Sequence, residues 1–330
     1  MTAVAAEAES PRSAGWLRQF LRSEYVALAL CVIYAAAVAP FAPGFLSWGN
    51  AQTIVAYLLP ILVVSVGMTL ALIIGGIDLS VTSIIALASV VGAKVMTAEG
   101  GWLAGNALAV PAAIAAMLLV GLVVGAFNGV AIVVCRIPAF MATLTTMMLL
   151  SGTAIWSTQS QKISSLPPGF TIISRQLWIA VVIAGAATWL AHYLLSKTIY
   201  GRWLYAIGHN SKAAYISGVP VPKMTFLTYV ATGLFAGISA ILFTAALETG
   251  NPEMARDNLL DVIGAVVIGG ASLQGGKGRA LGTVFGVLFL ALVDNSLNLI
   301  GLTFYTITMV KGALILAAAL LDVLRAKRLA

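Results

Sequence analysis

The longest stretch without a charged side chain is the strongest constraint on how this chain folds. It runs from residue 25 to residue 77, between Glu24 and Asp78, and most of its side chains are apolar. A helix that crosses a bilayer needs roughly 20 apolar residues, so the stretch is long enough for two crossings. Turn-forming residues divide it: Pro40, Pro43, Gly44 and Asn50. We therefore predict two membrane-spanning helices here, near 25–41 and 51–74.

The rest of the chain has the same apolar character. Of its 330 residues, 61% are hydrophobic and 9% are charged, whereas a soluble domain has about 25% charged residues. We predict an all-α polytopic membrane protein of about ten transmembrane helices, some of them broken at glycines. The further spans are expected near 79–97, 107–134, 138–157, 177–196, 224–247, 259–273, 281–300 and 303–323. A cytoplasmic lead over 1–24, a transmembrane domain over 25–323 and a cytoplasmic tail over 324–330 follow from this division.

The distribution of Lys and Arg predicts the orientation, because cytoplasmic loops retain more of these residues than exported loops do. With the N-terminus inside, the cytoplasmic segments hold Arg136, Lys197, Arg202, Lys212, Lys223, Lys277, Arg279, Arg325, Lys327 and Arg328. The exported loops hold Lys162, Arg175 and Arg256. Both termini are therefore predicted to be cytoplasmic, in a multi-pass protein of a bacterial inner membrane. The net charge of +7 reflects this topology, so the lipid bilayer is an expected partner and nucleic acid is not.

Two of the predicted spans are short and interrupted by paired glycines. The first interruption contains Gly75, Gly76, Asp78 and Ser80, and the second contains Gly269, Gly270 and Ser272. Unwound backbone is tolerated at membrane depth only where protein or water satisfies it, and such paired breaks often flank a transport pathway. All seven residues are candidates for a translocation pathway or a helix break. Whether the two breaks descend from an internal repeat or match by chance stays open.

Ionisable and amide side chains inside predicted spans are also candidates, because such groups are costly in hydrocarbon and usually face a bundle interior or a cavity. The ionisable ones are Asp78, Asp294 and Lys311, with Asn128, Asn295 and Asn298 as neutral companions. Each fits a bond between helices at least as well as a place on a pathway. We expect Asp294 to pair with Lys311, Asp78 to cap the helix that follows it, and Asp261 to cap the span near 259–273.

Motifs for catalysis, metal binding and nucleotide binding are missing from the sequence. The glycine-rich run at residues 269–279 resembles a phosphate loop, but Ala271 and Gly278 stand where that loop requires a glycine and a hydroxyl. The only histidines, His192 and His209, belong to no zinc motif. We therefore predict a transport subunit without catalytic or metal-binding residues and without a cofactor of its own.

The longest predicted cytoplasmic connection, residues 197–223, contains a possible short helix. Residues 211–217 can form two helical turns, with Asn210 or Ser211 as the N-cap and Gly218 just past the C-terminal end. A short helix of small residues framed by glycines is a surface on which another protein can dock. A solvated connector is the alternative.

Several of these blocks together resemble one family, the ribose-type permeases of binding-protein-dependent ABC sugar importers. The similarity covers nearly all of residues 45–323, and the most distinctive block is Gly-Gly-Ile-Asp-Leu-Ser-Val at residues 75–81. The other matching blocks are residues 67–69, Asn128-Gly129, residues 137–140 with 143–144, residues 205–210 with 213–214 and 217–218, Asp261, residues 267–279 and Asn298-Leu299. Residues 251–258 depart from the family's glycine-containing pattern, which leaves the identity of the sugar and of the binding protein open.

The resemblance implies an assembly. Its expected partners are two cytoplasmic ATP-binding subunits, a periplasmic sugar-binding protein, and a second copy of the permease or a homologous permease. ATP and magnesium would bind to the ATPase subunits. In this family the matched loop docks into the ATPase, which makes six residues the expected ATPase-coupling loop: Gly208, Asn210, Ala213, Ala214, Ser217 and Gly218. The competing hypothesis is a stand-alone secondary transporter or channel for a small polar solute.

The predicted orientation can be tested with reporter fusions. A fusion after Ser160 should report the periplasm, because five spans precede it. A fusion after Lys212 should report the cytoplasm, because the loop around it holds four basic residues. Paired alkaline phosphatase and fluorescent-protein fusions at both positions would measure this, and reversed signals at either site would contradict the orientation.

Overall fold

The computed structural model describes residues 25–327, and every regular element of that part is helical. The expected N-terminal lead and residues 328–330 of the expected tail lie outside the described residues. The first helices are α1 (Tyr25–Val38), α2 (Trp48–Ile73), α3 (Val81–Met96), α4 (Ala109–Val133), α5 (Ala139–Thr158), α6 (Pro168–Arg175) and α7 (Leu177–Lys197). They are followed by α8 (Ile199–His209), α9 (Ser211–Ile216), α10 (Val221–Leu247), a 3-10 turn (Arg256–Asn258), α11 (Leu259–Ile268), α12 (Ala280–Leu299) and α13 (Phe304–Lys327).

Helix α2 forms the centre of the bundle. Every residue from Leu58 to Ile73 is buried, because α7, α10, α11 and α12 pack around it. Pro60 lies inside the helix, where proline cannot donate a backbone hydrogen bond. The Ser239 hydroxyl of α10 donates to the Pro60 carbonyl at 2.7 Å, which ties the proline-containing turn to the neighbouring helix.

Helices α4 and α10 pack against each other at very short distance. Gly121 of α4 and Gly233 of α10 face each other so closely that a side-chain carbon on either would collide with the backbone carbonyl of the other. Gly125 continues the contact one turn along α4, where an added carbon would lie 3.0 Å from the Val230 Cα. Small residues four apart let membrane helices approach in this way. Both helices are thereby held beside the first glycine break.

Each of the ten predicted spans corresponds to an apolar helix, but the helices differ in length. Six in the described part are long and apolar enough to cross a membrane: α2, α4, α5, α7, α10 and α12. Helix α1, helix α3 and residues Phe304–Leu320 of α13 are apolar but shorter. Helix α11 has 10 residues and extends about 15 Å at the rise of an α-helix. The prediction of an all-α polytopic protein is confirmed, whereas ten crossings and cytoplasmic termini stay predictions.

The outer faces of the bundle are apolar. On α4, Leu119, Val123 and Phe127 recur every four residues and are 59, 58 and 59% exposed. Exposed large side chains also occur on α5 and α7, among them Met148, Leu149, Trp178, Val182 and Trp189. A contiguous exposed apolar surface of this kind is unfavourable in water. Hydrocarbon is the solvent that these faces fit.

Candidate functional site

The first glycine pair ends α2 with a Schellman motif. Gly75 has φ of +76°, a conformation that favours glycine. Its N–H donates to the Leu72 carbonyl, and the Gly76 N–H donates to the Ala71 carbonyl, both at 2.9 Å. These two bonds satisfy carbonyls that the end of a helix otherwise leaves without a partner. Helix α2 therefore ends at this break in a defined, hydrogen-bonded motif.

The second glycine pair ends α11 with the same motif, shifted by one residue. Here Gly270 has the positive φ, +93°. Its N–H donates to the Val267 carbonyl at 2.9 Å, and the Ala271 N–H donates to the Val266 carbonyl at 3.1 Å. Gly75 and Gly270 are thus equivalent in geometry, although the sequence pairs Gly75 with Gly269. The helix ends are alike, and the internal repeat stays a hypothesis.

Asp78 lies in the chain between α2 and α3 and is completely buried. Its Oδ1 accepts the backbone N–H of Ser80 at 3.0 Å and the Ser80 hydroxyl at 2.6 Å. Its Oδ2 accepts the Thr232 hydroxyl of α10 at 2.8 Å. The carboxylate therefore satisfies a free amide at the start of α3, as predicted for a capping side chain. Ser80, the residue just before α3, makes no side-chain capping bond of its own.

The polar contacts of Asp78 continue through two more helices. The Asn128 side chain of α4 donates to the Ser80 hydroxyl at 2.8 Å, and the Thr146 hydroxyl of α5 donates to Asn128 Oδ1 at 2.7 Å. The five residues from Thr232 through Asp78, Ser80 and Asn128 to Thr146, here called the polar chain, are all buried. The structure thus brings Asp78, Ser80 and Asn128 together. The sequence did not indicate a role for Thr232 and Thr146, because many threonines occur in its apolar helices.

Tyr229 packs beside the polar chain. Its side chain is 1% exposed, and its hydroxyl has no hydrogen-bond partner among the residues that the structure describes. It faces Gly76, where an added side-chain carbon would collide with the Tyr229 hydroxyl. Gly76 is therefore required for space, whereas Gly75 is required for its backbone conformation.

A second polar group joins three helices through Lys311. The Lys311 Nζ of α13 lies 3.0 Å from an Asp294 carboxylate oxygen of α12 and 2.7 Å from an Asp261 carboxylate oxygen of α11. The predicted Asp294–Lys311 pair is confirmed. The prediction that Asp261 caps α11 is wrong: Asn258 occupies the N-cap position without a side-chain capping bond. An ammonium group is a stronger partner for a buried carboxylate than a neutral amide.

The remaining pathway candidates do not share one cavity. Asn295 exchanges two amide hydrogen bonds of 2.9 Å with Asn50, at the start of α2. Asn298 is exposed and donates to the Asp294 carbonyl, one turn earlier in α12, at 3.3 Å. The Ser272 hydroxyl donates to Asp322 of α13 at 3.1 Å. The predicted residues therefore form separate contacts, and Asn50 and Asp322 are partners that the sequence did not indicate.

A small cavity borders the Lys311 group. Tyr57, Asp261 and Lys311 supply its polar lining, and apolar residues of α2, α11 and α12 supply the rest. Between residues 25 and 327, no three His, Cys, Asp or Glu side chains are grouped closely enough to hold a metal ion. The cavity therefore presents a few hydrogen-bonding groups in an otherwise apolar lining.

The expected coupling loop forms a capped helix. The Asn210 side chain accepts the Ala213 N–H at 3.0 Å, and the Ser217 N–H donates to the Ala213 carbonyl at 3.0 Å at the other end of α9. Gly218 follows with φ of +84°. The predicted cap positions are confirmed. Ala214 is buried, whereas Tyr215 and Ile216 are 66 and 85% exposed, so α9 presents apolar side chains outward.

The predicted exported side is crosslinked by polar contacts. Arg175, at the end of α6, binds Glu248 at 2.9 Å, and this hydrogen bond and the nearby guanidinium charge lower the pKa of the Glu248 carboxyl. Ile163 and Gly250 exchange two backbone hydrogen bonds of 2.8 and 2.9 Å. These contacts join the loop after α5 and the end of α6 to the end of α10.

Substitution of Asp78 tests the polar chain. Asp78→Asn keeps an oxygen for Ser80, and its amide can donate to the Thr232 hydroxyl. Asp78→Ala leaves the Ser80 N–H and both hydroxyls without their acceptor, at about 1–3 kcal/mol for each group that stays unsatisfied. We expect thermal unfolding in detergent to show Asp78→Asn close to wild type and Asp78→Ala clearly less stable. Equal stability of Asp78→Ala and wild type would contradict a supporting role for Asp78.

Comparison with known proteins agrees with this architecture. Residues 50–319 match the family described as branched-chain amino acid transport system / permease component. The chain is 36% identical to the ribose import permease protein RbsC of Escherichia coli over 310 residues, which cover 91% of this chain and 93% of that protein. It is 35% identical to RbsC of Bacillus subtilis over 268 residues, covering 78% and 80% of the two chains. No solved structure matches significantly.

A relative named for another sugar is the L-arabinose ABC transporter permease protein AraH of Azospirillum brasilense. It is 29% identical over 322 residues, which cover 94% of this chain and 90% of AraH. The matches to the family and to the RbsC proteins extend over most of the chain. They confirm the resemblance that the sequence blocks indicated. The chain therefore belongs to this family of transport-system permease components, as a multi-pass inner-membrane protein of the ribose-type ABC permeases.

Proposed function

We propose that this chain is the membrane-spanning subunit of an ATP-driven importer that translocates a monosaccharide delivered by a periplasmic binding protein. The observation that carries the proposal is the 36% identity to a ribose import permease over 91% of the chain. The family description names branched-chain amino acids, but the relatives of highest identity reported above are named for ribose. A pentose or a related small polyol is the substrate class that fits best.

The energy comes from separate subunits in this proposal. Two cytoplasmic ATP-binding subunits hold ATP and magnesium, and this chain pairs with a second copy or with a homologous permease. The absence of phosphate-loop residues at 269–279 supports a division of labour. Family membership favours this assembly over the alternative, a stand-alone secondary transporter or channel.

Helix α9 is the proposed docking element for the ATPase. Asn210 and Gly218 fix its two ends, Ala213 leaves its surface flat, and Ala214 anchors it to the protein. Exposed Tyr215 and Ile216 supply the apolar contact that a protein interface needs at its centre. Ser217 closes the last turn. Gly208 belongs to the preceding helix and positions α9 against the membrane part.

The broken helices are the proposed moving parts. Helices α3 and α11 are short, and each adjoins a Schellman motif. The polar chain and the Lys311 group tie them to neighbouring helices. In this proposal the polar residues support the change between outward- and inward-facing states more than they touch sugar. With the proposed ten crossings and both termini in the cytoplasm, α9 lies on the ATPase side.

A transport assay tests the function itself. Vesicles that contain the permease, its ATP-binding partner and its binding protein should take up labelled ribose or arabinose only when ATP is supplied to the ATPase side. Labelled leucine should not enter, because the sugar importers are the more similar relatives. Uptake that persists without the ATP-binding subunit would favour the stand-alone transporter, and leucine uptake would contradict the sugar assignment.

Substitutions on α9 test the docking role. Ala213→Arg places a long charged side chain on the exposed face of α9, and Gly218→Trp forces a bulky residue into a left-handed conformation. Both should leave permease abundance in the membrane unchanged, reduce co-purification of the ATP-binding subunit and abolish most uptake. Ser196→Arg is the matched control, since it adds the same side chain at an exposed position on α7. Wild-type ATPase association of Ala213→Arg would show that α9 is only a connector.

A further inference from the structure

Both glycine breaks meet at one point. The N–H of Gly276, in the loop after α11, donates to the carbonyl of Ile73, the last residue of α2, at 2.8 Å. A side-chain carbon on Gly75 would lie 3.6 Å from the carbonyl oxygen of Gln274 in the same loop. The end of α2 and the segment that follows α11, residues 271–279, are therefore in direct contact.

The C-terminal end of α8 packs against this same point. A side-chain carbon on Gly208 would collide with the Ile73 carbonyl and lie 2.9 Å from the Gly276 Cα. One turn earlier, the Tyr205 hydroxyl donates to the Gly278 carbonyl at 2.7 Å. Gly208 thus touches both breaks, and Tyr205 holds the second one by a hydrogen bond.

Helix α9 is fixed to α8 by a small apolar cluster of its own. Ile207 of α8, Ala214 of α9, Val219 just before α10 and Met224 in the first turn of α10 are buried together. Ile74 of the first break packs against them. The connection between α8 and α9 is Asn210, whose side chain caps α9. A displacement of α9 therefore moves α8 with it, because packed side chains transmit displacement.

Resting on the proposed function, we propose that Tyr205 and Gly208 are positioning residues that transmit the movement of α9 to both glycine breaks, at the ends of α2 and α11, as one unit. The close approach at Gly208 brings α8 into direct contact with Ile73 and Gly276. The hydrogen bond from Tyr205 to Gly278 makes residues 271–279 move together with α8. A conformational change of the ATP-binding subunits that displaces α9 would then displace the ends of α2 and α11 at the same time. Neither residue needs to contact the sugar or the ATPase.

Removal of the Tyr205 hydroxyl tests this transmission. Tyr205→Phe deletes the bond to Gly278 and keeps the ring. In the complete importer, reconstituted in vesicles with its ATPase and binding protein, we expect unchanged ATPase co-purification. The transported probe is labelled ribose or labelled arabinose, depending on which of the two sugars the wild-type importer takes up. The number of sugars imported per ATP hydrolysed should fall about two- to tenfold, the change that loss of one hydrogen bond produces in an equilibrium.

Tyr200→Phe is the matched control. Tyr200 lies on the same helix, is half-buried like Tyr205, and loses a bond of the same kind, the contact of its hydroxyl with the Thr228 hydroxyl at 3.0 Å. That bond reaches α10 and not a glycine break, so the ratio of sugar to ATP should stay at the wild-type value. Equal ratios for the two variants would overturn the proposal, since a general loss of stability would affect both.

Gly208→Ala provides a second, independent variant. Its methyl group must push α8 away from Ile73 and Gly276, so coupling should fall although Tyr205 is intact. A wild-type ratio in Gly208→Ala would overturn the role of that contact. If the wild-type protein, assembled with its ATPase and binding protein, shows no ATP-dependent sugar uptake, the proposed function is contradicted. The positioning proposal, which rests on it, is then contradicted as well. The two failures are distinguishable because one is seen in wild type and the other only in the variants.

Discussion

Hydrocarbon supplies no hydrogen bonds, and the whole structure depends on that constraint. Every backbone group that leaves a helix at membrane depth needs a partner within the protein. The two glycine breaks meet part of this requirement with Schellman bonds, which satisfy two carbonyls near the end of α2 and two near the end of α11. The Gly276 N–H satisfies the carbonyl of Ile73, the last residue of α2. Asp78 then satisfies the Ser80 amide beyond the first break. Breaks of this kind can exist in the membrane because local bonds and contacts with other segments together supply these hydrogen bonds.

The two buried acidic sites are stabilised in different ways. Asp261 and Asp294 share the ammonium group of Lys311, so three helices are held by charge. Asp78 has no basic partner within the described residues and is held by hydroxyls and an amide. Hydroxyl groups can rotate and exchange partners with little cost, whereas separation of a buried ion pair is expensive. The Lys311 group therefore suits a rigid joint, and the polar chain suits a joint that changes.

The sequence was sufficient for the ten apolar helices, for α9 and for some of their contacts, whereas α6 and α8 were not predicted. Each predicted span fell on a helix, the Asn210 cap and the positive φ of Gly218 followed from local rules, and the Asp294–Lys311 pair followed from the cost of intramembrane charge. Asp261 was misassigned because its partner lies fifty positions away in the sequence. The equivalence of Gly75 with Gly270 depends on which glycine of each pair has a positive φ. The sequence shows two adjacent glycines at each break and does not indicate which of them adopts that conformation. Thr146 and Thr232 acquire their roles only through packing.

The hydroxyl of Tyr229 makes this conformation energetically imperfect. It is buried against Gly76 and finds no partner in the part of the chain that the structure describes, a situation that costs about 1–3 kcal/mol. Any arrangement that turns a polar group of the first break toward this hydroxyl recovers that free energy. A gain of 1–2 kcal/mol changes the ratio of two populations by about 5- to 30-fold. The buried hydroxyl therefore destabilises this arrangement relative to any conformation in which Tyr229 finds a hydrogen-bond partner.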